Sequence, residues 1–178
     1  MRYRVKTCKC GTKFKQYNSL QTKCVPCLIE DGKKQSEEKK ASWPERKKKM
    51  QEATKTRSQK INDTRKVFQQ YIRERDKDKP CISCGTMQSK YWDAGHYLKA
   101  ELYTGLIFNE DNVHKQCRKC NSYLGGNEIE YRIGLVERIG EKRVKQLEES
   151  RNNLRVYKWS DEELDFIKTS SKNFLKKK

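Results

Sequence analysis

The sequence predicts an α+β protein with a small clamped core flanked by helices, and three observations predict it. Apolar residues make up only 33% of the chain while charged ones make up 37%, too little for one large hydrophobic core in 178 residues. The eight cysteines fall into four closely spaced pairs, which is how a chain short of apolar residues ties itself together. Long stretches with helical spacing lie on both sides of the second cysteine set. Four segments follow: residues 1–30, 31–79, 80–127 and 128–178.

The opening segment, 1–30, carries Cys8-x-Cys10 and Cys24-x-x-Cys27 with 13 residues between the pairs. Two short-spaced pairs let two turns close around one tetrahedral zinc ion, and Gly11 suits the turn after the first pair. Disulfides and redox pairs are the alternatives. The start "MRYRVKTCKC" has no apolar signal region, and no window approaches the roughly 18 apolar residues of a membrane span. This points to a cytoplasmic, non-membrane protein in which thiols stay reduced and paired cysteines hold metal.

Residues 31–79 read as a basic helical linker. Ser42 with Glu45 has the capping-box pattern, Pro44 suits a first helical turn, and neither Gly nor Pro recurs before Pro80. Val67, Phe68, Tyr71 and Ile72 then repeat at helical spacing and predict docking onto the next segment. The chain carries 42 Lys and Arg against 24 Asp and Glu, a net charge of +18. A solvated lysine face is the plain reading. Phosphate tracking along nucleic acid is the sharper one, with Lys47, Lys48, Lys49, Lys115, Arg118 and Lys119 as contacts, because cations that neutralise phosphates release counterions.

Segment 80–127 holds Cys81-x-x-Cys84 and Cys117-x-x-Cys120, separated by 32 residues. A four-cysteine site has no open coordination position, so a second zinc here is structural. The insert is then free for other work. "YWDAGHYL" reads as a strand, "LIFNEDN" as a returning strand, and Asn121 as the opening of a helix. The last segment, 128–178, predicts a helix with Ile129, Ile133, Val136 and Ile139 on one face and Gly140 as its stop. A short helix around Val144 and Leu147 follows, then another capped by Ser160 with Glu163. These C-terminal helices are also where a homodimer would pair.

His96, Asn112 and Asn121, in that order on strand, loop and helix within a cysteine clamp, resemble the ββα-metal, or HNH, nucleases. The residue types suit phosphodiester hydrolysis. A neutral imidazole can take a proton from water near neutral pH, and a divalent cation stabilises charge on the phosphorus-bound and departing oxygens. Hard oxygen ligands suit Mg²⁺ or Mn²⁺. On this reading His96 is the general base, Asn112 holds the loop behind it, and Asn121 and Asp93 ligate the cation. Glu101 and Asp111 are alternatives to Asp93, because residues 93 and 96 face opposite sides of a regular strand unless a bulge at Gly95 turns them together. His114 either touches the phosphate or packs beside the zinc loop, the latter being favoured. Asn127 is expected to cap a helix.

The segments "CISCG", "WDAGHY", "FNEDNVHKQCRKCN", "GGN", "YRIGLVERIG" and "VKQLE" together resemble, in order, the NinG/Rap recombination nucleases of lambdoid phages. The clamp with its His and Asn121 is also similar to the junction-resolving endonuclease of T-even phages. The resemblance implies a structure-specific DNA endonuclease acting on Holliday junctions and D-loops, working beside phage recombination proteins in the bacterial cytoplasm. A zinc-dependent DNA-binding accessory protein without catalysis is the alternative, and a nuclease that cuts duplex at a defined sequence is a third.

Overall fold

The computed structural model describes residues 4–177 and is mixed α+β, in two compact units that meet between Lys55 and Thr56. In the first unit, β1 (Val5–Thr7) and β2 (Lys13–Lys15) form an antiparallel hairpin with Lys6 opposite Phe14. A single helix, α1 (Val25–Ala53), follows and buries none of its 29 residues. It begins earlier than its sequence suggests. Pro26 occupies the first turn, where a missing N–H costs nothing, and Ser42 and Pro44 lie in the interior. The Ser42 hydroxyl donates back to Lys39 O instead of capping. Exposed pairs such as Lys34–Glu30 at 3.7 Å and Lys49–Glu45 at 3.6 Å add a few tenths of a kcal/mol each, roughly 0.3–0.5.

The helix expected to run on to Pro80 instead stops at Thr54 and restarts. The capping box that counts is Thr56 with Gln59, which opens α2 (Arg57–Arg75) in the second unit. There β3 (Trp92–His96) pairs antiparallel with β4 (Val113–Cys117). "LIFNEDN" forms turns rather than the second strand, so β4 begins only after Asn112. On one side Phe68 and Ile72 of α2 pack with Ala94, Val113, Phe108 and Leu164. On the other, Ile82, Tyr97 and Leu106 pack with α3 (Glu128–Ile139) and α4 (Glu141–Ser150) through Tyr131, Leu135, Val144 and Leu147. The last helix, α5 (Asp161–Lys176), starts at the expected Ser160–Glu163 capping box and packs on α2. No helix among the described residues is long and apolar enough to cross a membrane.

Of the apolar stripe expected on α3, Val136 and Ile139 pack against the second apolar cluster, but the stripe is turned at its start. Ile129 and Ile133 are exposed, and Tyr131 and Leu135 are buried instead. Tyr131 wins the core position because its hydroxyl can serve the sheet. It donates to Gly95 O at 2.9 Å and accepts from His114 N at 3.1 Å, which no isoleucine could do.

Candidate active site and metal centres

Each cysteine set gathers its four sulfurs within 4.8 Å of one another. Cys84 and Cys117 sulfurs lie 3.8 Å apart and those of Cys10 and Cys24 3.5 Å apart. A tetrahedral zinc with bonds of about 2.3 Å spaces its sulfurs by about 3.8 Å, whereas a disulfide needs about 2.05 Å. The donor sets therefore fit zinc, held by Cys8, Cys10, Cys24 and Cys27 in one site and by Cys81, Cys84, Cys117 and Cys120 in the other. At the second site burial works against a thiolate on Cys81. Backbone N–H groups of Cys117, Cys84 and Ser83 outweigh it and hold the thiol below its ordinary range.

Zinc in the second set would fix both ends of what lies between. Cys117 ends β4, and Cys120 sits in a single π-helical turn, Lys119–Tyr123. Asn121 is carried on that turn rather than at the start of a long helix. Asn112 is fully buried, and its amide is spent on the loop. Its Oδ1 accepts from Leu98 N at 2.7 Å, and its Nδ2 donates to Leu98 O and Leu106 O, both at 3.0 Å. The next carbonyl, Ile107 O, lies 3.1 Å from Nε2 of His96. A carbonyl only accepts, so Nε2 carries the proton and Nδ1 keeps its lone pair. Burial, with the charge of Arg65 adding to it and a backbone hydrogen bond opposing it, lowers the His96 pKa below the ordinary 6.5.

His96 and Asn121 line one cavity of about 340 Å³, together with Arg65, Gln69, Tyr97, Lys99, Glu101 and Glu128. Asp93 is not on its wall. The strands pair residue for residue from Trp92 to His96 with no bulge. Gly95 serves another purpose, since a Cβ there would press on the buried Gln116 side chain. Both carboxylate oxygens of Asp93 are taken by Arg118, at 2.7 and 2.8 Å. Asp93 also accepts from Asn121 Nδ2 at 3.2 Å, which turns the Asn121 oxygen away from it. Of the alternatives, Glu101 lines the cavity, while Asp111 pairs with Arg143 at 3.1 Å. Among the described residues only the cysteine sets bring three or more acidic, imidazole or thiol groups this close together.

His114 is buried in a charge network. Its Nε2 faces Asp111 O at 3.3 Å, and its Nδ1 accepts from Arg75 at 3.0 Å and lies 3.5 Å from Asp76. Burial lowers its pKa. Asn127 stands at the start of α3 in the left-handed region but does not cap it. Its amide points to Cys120 Sγ at 3.8 Å. Lys115 is misplaced by a charge count. It is 4% exposed, donates to Lys77 O at 2.7 Å and lies over the Trp92 ring, so it is not a surface phosphate contact. Lys47, Lys48, Lys49, Arg118 and Lys119 are exposed. The sequence reading missed Arg65, Gln69, Lys99 and Glu128. No spacing separates them from the many charged residues around them, and only the fold brings them to His96.

Fold and site define a mixed α+β protein with small sheets and two four-cysteine centres able to hold zinc. The family model described as bacteriophage lambda NinG protein matches residues 2–178, and the chain belongs to that family. Protein ninG of Escherichia phage lambda is 44% identical over 124 residues, 70% of this chain and 59% of that protein. The proteins of the same name from Escherichia phage 933W and Salmonella phage P22 are each 43% identical over 124 residues, 70% of this chain and 60% of theirs. The match thus spans about three-fifths of these relatives' length. No solved structure matches the chain.

Proposed function

We propose that this protein is a metal-dependent HNH endonuclease that hydrolyses phosphodiester bonds in branched DNA such as Holliday junctions and D-loops. The observation that carries the reading is the shared cavity. An imidazole kept neutral, with its Nδ1 lone pair free, lines the same space as the Asn121 amide, and a metal in the cysteine clamp would hold the turn that carries Asn121. Asn121 through its oxygen, with Glu101 or Glu128, would hold Mg²⁺ or Mn²⁺, which takes few protein ligands and completes its shell with water and phosphate. When bound, the cation supplies Lewis-acid stabilisation of charge on the phosphorus-bound oxygens. His96 Nδ1 takes the proton of the attacking water as the new P–O bond forms. The bond to the 3′ oxygen breaks, and that oxygen takes its proton from solvent. Asp93 becomes a positioning residue that orients the Asn121 amide. The net charge of +18 supplies affinity for DNA, and two opposed cuts would suit a homodimer.

The commitment of Asp93 to Arg118 favours a second reading, a zinc-dependent DNA-binding recombination accessory protein without catalysis. Labelled four-way junction, linear duplex and single strand, each with Mg²⁺, Mn²⁺ or chelator, separate the two. The nuclease reading expects junction cleavage that falls about 10²–10⁴-fold in His96→Ala while binding persists. Junction binding without cuts in any metal overturns it in favour of the accessory role.

A further inference from the structure

We infer that Arg65 binds the scissile phosphate: its guanidinium, delivered by α2 from outside the cysteine clamp, holds a non-bridging oxygen across the cavity from His96. The inference rests on the nuclease reading and adds a residue that neither the cysteine framework nor the His–Asn–Asn order contains.

Arg65 and Gln69 stand one helical turn apart on α2 and line the same cavity as His96 and Asn121. The Arg65 Nε is buried without a hydrogen-bond partner. Among the described residues Arg65 enters no ion pair within 4 Å, although Glu101 and Glu128 share the cavity wall. Other arginines of this unit are engaged: Arg75 with Asp76, Arg118 with Asp93, Arg132 with Glu148 and Arg143 with Asp111. A half-buried guanidinium with an unsatisfied N–H is costly, and buried polar groups of this kind are normally satisfied by something. The planar fork of arginine matches the oxygens of a phosphodiester better than it matches a single water. The same charge also disfavours protonation of His96, so phosphate binding and a ready base come from one side chain.

The experiment is single-turnover cleavage of a labelled four-way junction with Mg²⁺ by the full chain, its Arg65→Ala and Arg65→Lys variants, and Arg65→Ala with added guanidinium ion. Melting temperature and zinc content are measured in parallel. Arg65→Ala is expected to cut about 10²–10³-fold more slowly, as when one transition-state donor is removed. Junction affinity in chelator should stay within about threefold, since one phosphate contact among many is lost. Guanidinium should restore part of the rate, which a purely structural loss would not allow, and Arg65→Lys should fall between.

If Arg65→Ala fails to fold, a second measurement compares the wild-type chain with the uncharged Arg65→Gln. A neutral methylphosphonate at the mapped cut site should weaken wild-type binding but leave Arg65→Gln less affected. Equal weakening in both overturns the assignment. So does cleavage by folded Arg65→Ala within about threefold of wild type, or a lost rate that guanidinium does not raise. Those results leave the nuclease reading standing. A wild-type chain that cuts no substrate in any cation sinks that reading and this inference together.

Discussion

The two four-cysteine sites are built alike locally and differ in what surrounds them. In each, the first cysteine pair is followed by a glycine in the left-handed region, Gly11 at φ +88° and Gly85 at φ +68°. The glycine N–H returns to the carbonyl of the first cysteine in both, at 2.9 and 3.0 Å. Around the N-terminal site β1 and β2 bury nothing further, and α1 buries nothing at all. Around the second, Trp92 packs on the buried cysteines, and Ile82, inside the Cys81–Cys84 pair, enters the cluster with Tyr131 and Leu135. The first metal would substitute for a core. The second would rivet a knuckle to a core that already exists and hold Asn121 beside His96.

The largest effect should come from breaking the rivet. Cys117→Ser removes a ligand from the end of β4, and structural zinc is worth roughly 10–16 kcal/mol in free binding, as much as a whole domain's stability of about 5–15 kcal/mol. The expected outcome is loss of one zinc equivalent, of the near-UV signal of Trp92, and of any cleavage. A metal-free chain that keeps its full near-UV spectrum would show that the apolar clusters alone suffice.

Next comes Asp76, which ties the segment before the clamp to β4. It is fully buried, accepts from Lys115 N at 3.1 Å, and is surrounded by Arg75, Lys79, His114 and Arg138. Burial would raise its pKa, but the hydrogen bonds from Arg75 and Lys115 N and the Arg75 charge hold it far below the ordinary 3.8. Asp76→Asn should cost about 3–5 kcal/mol by leaving buried cations unpaired, read from denaturant unfolding. The pH dependence has two windows. His96 and His114 have folded pKa values below 6.5, so the unfolded chain binds their protons first and stability falls as pH drops below about 6.5. Asp76 contributes stability above 3.8 that is lost on further acidification, and the asparagine variant should lack that second window.

Legibility followed the range of the interaction. Cysteine pairs with a following glycine, the Ser160–Glu163 box and the Phe68/Ile72 stripe are local patterns, and the structure contains them. His96 and Asn121, expected together from their order and its resemblance to the HNH nucleases, line one cavity. What failed needed the third dimension. Ser42 with Glu45 reads as a helix start as well as Thr56 with Gln59 does, and only continuity from Pro26 decides against it. Ile129 and Ile133 lose the core to Tyr131 because the sheet needs a hydroxyl. Lys115 counts as surface charge until Trp92 and the Lys77 carbonyl are seen around it. Arg65 has no local signal, since its meaning lies in the partner it lacks.

The smallest effect on the second unit should come from the N-terminal site, and it sharpens the comparison most. Cys24 precedes the first turn of α1 and Cys27 lies within it, so zinc there would pin the start of a helix that has no packed face to stabilise it. A helix without tertiary burial rests on its own propensity and side-chain pairs alone, so its ends fray when nothing pins them. Cys8→Ser with Cys24→Ser should therefore lose one zinc equivalent and part of the helical signal at 222 nm carried by α1. Unfolding of residues 56–178 should move by no more than about 0.5 kcal/mol, as for an energetically independent site. Junction affinity should drop and depend less steeply on salt, because a frayed α1 no longer presents Lys47, Lys48 and Lys49 on one rigid rod. If the second unit melts together with the first in this variant, the two sites are one cooperative structure, and the division into a metal-made core and a riveted one is wrong.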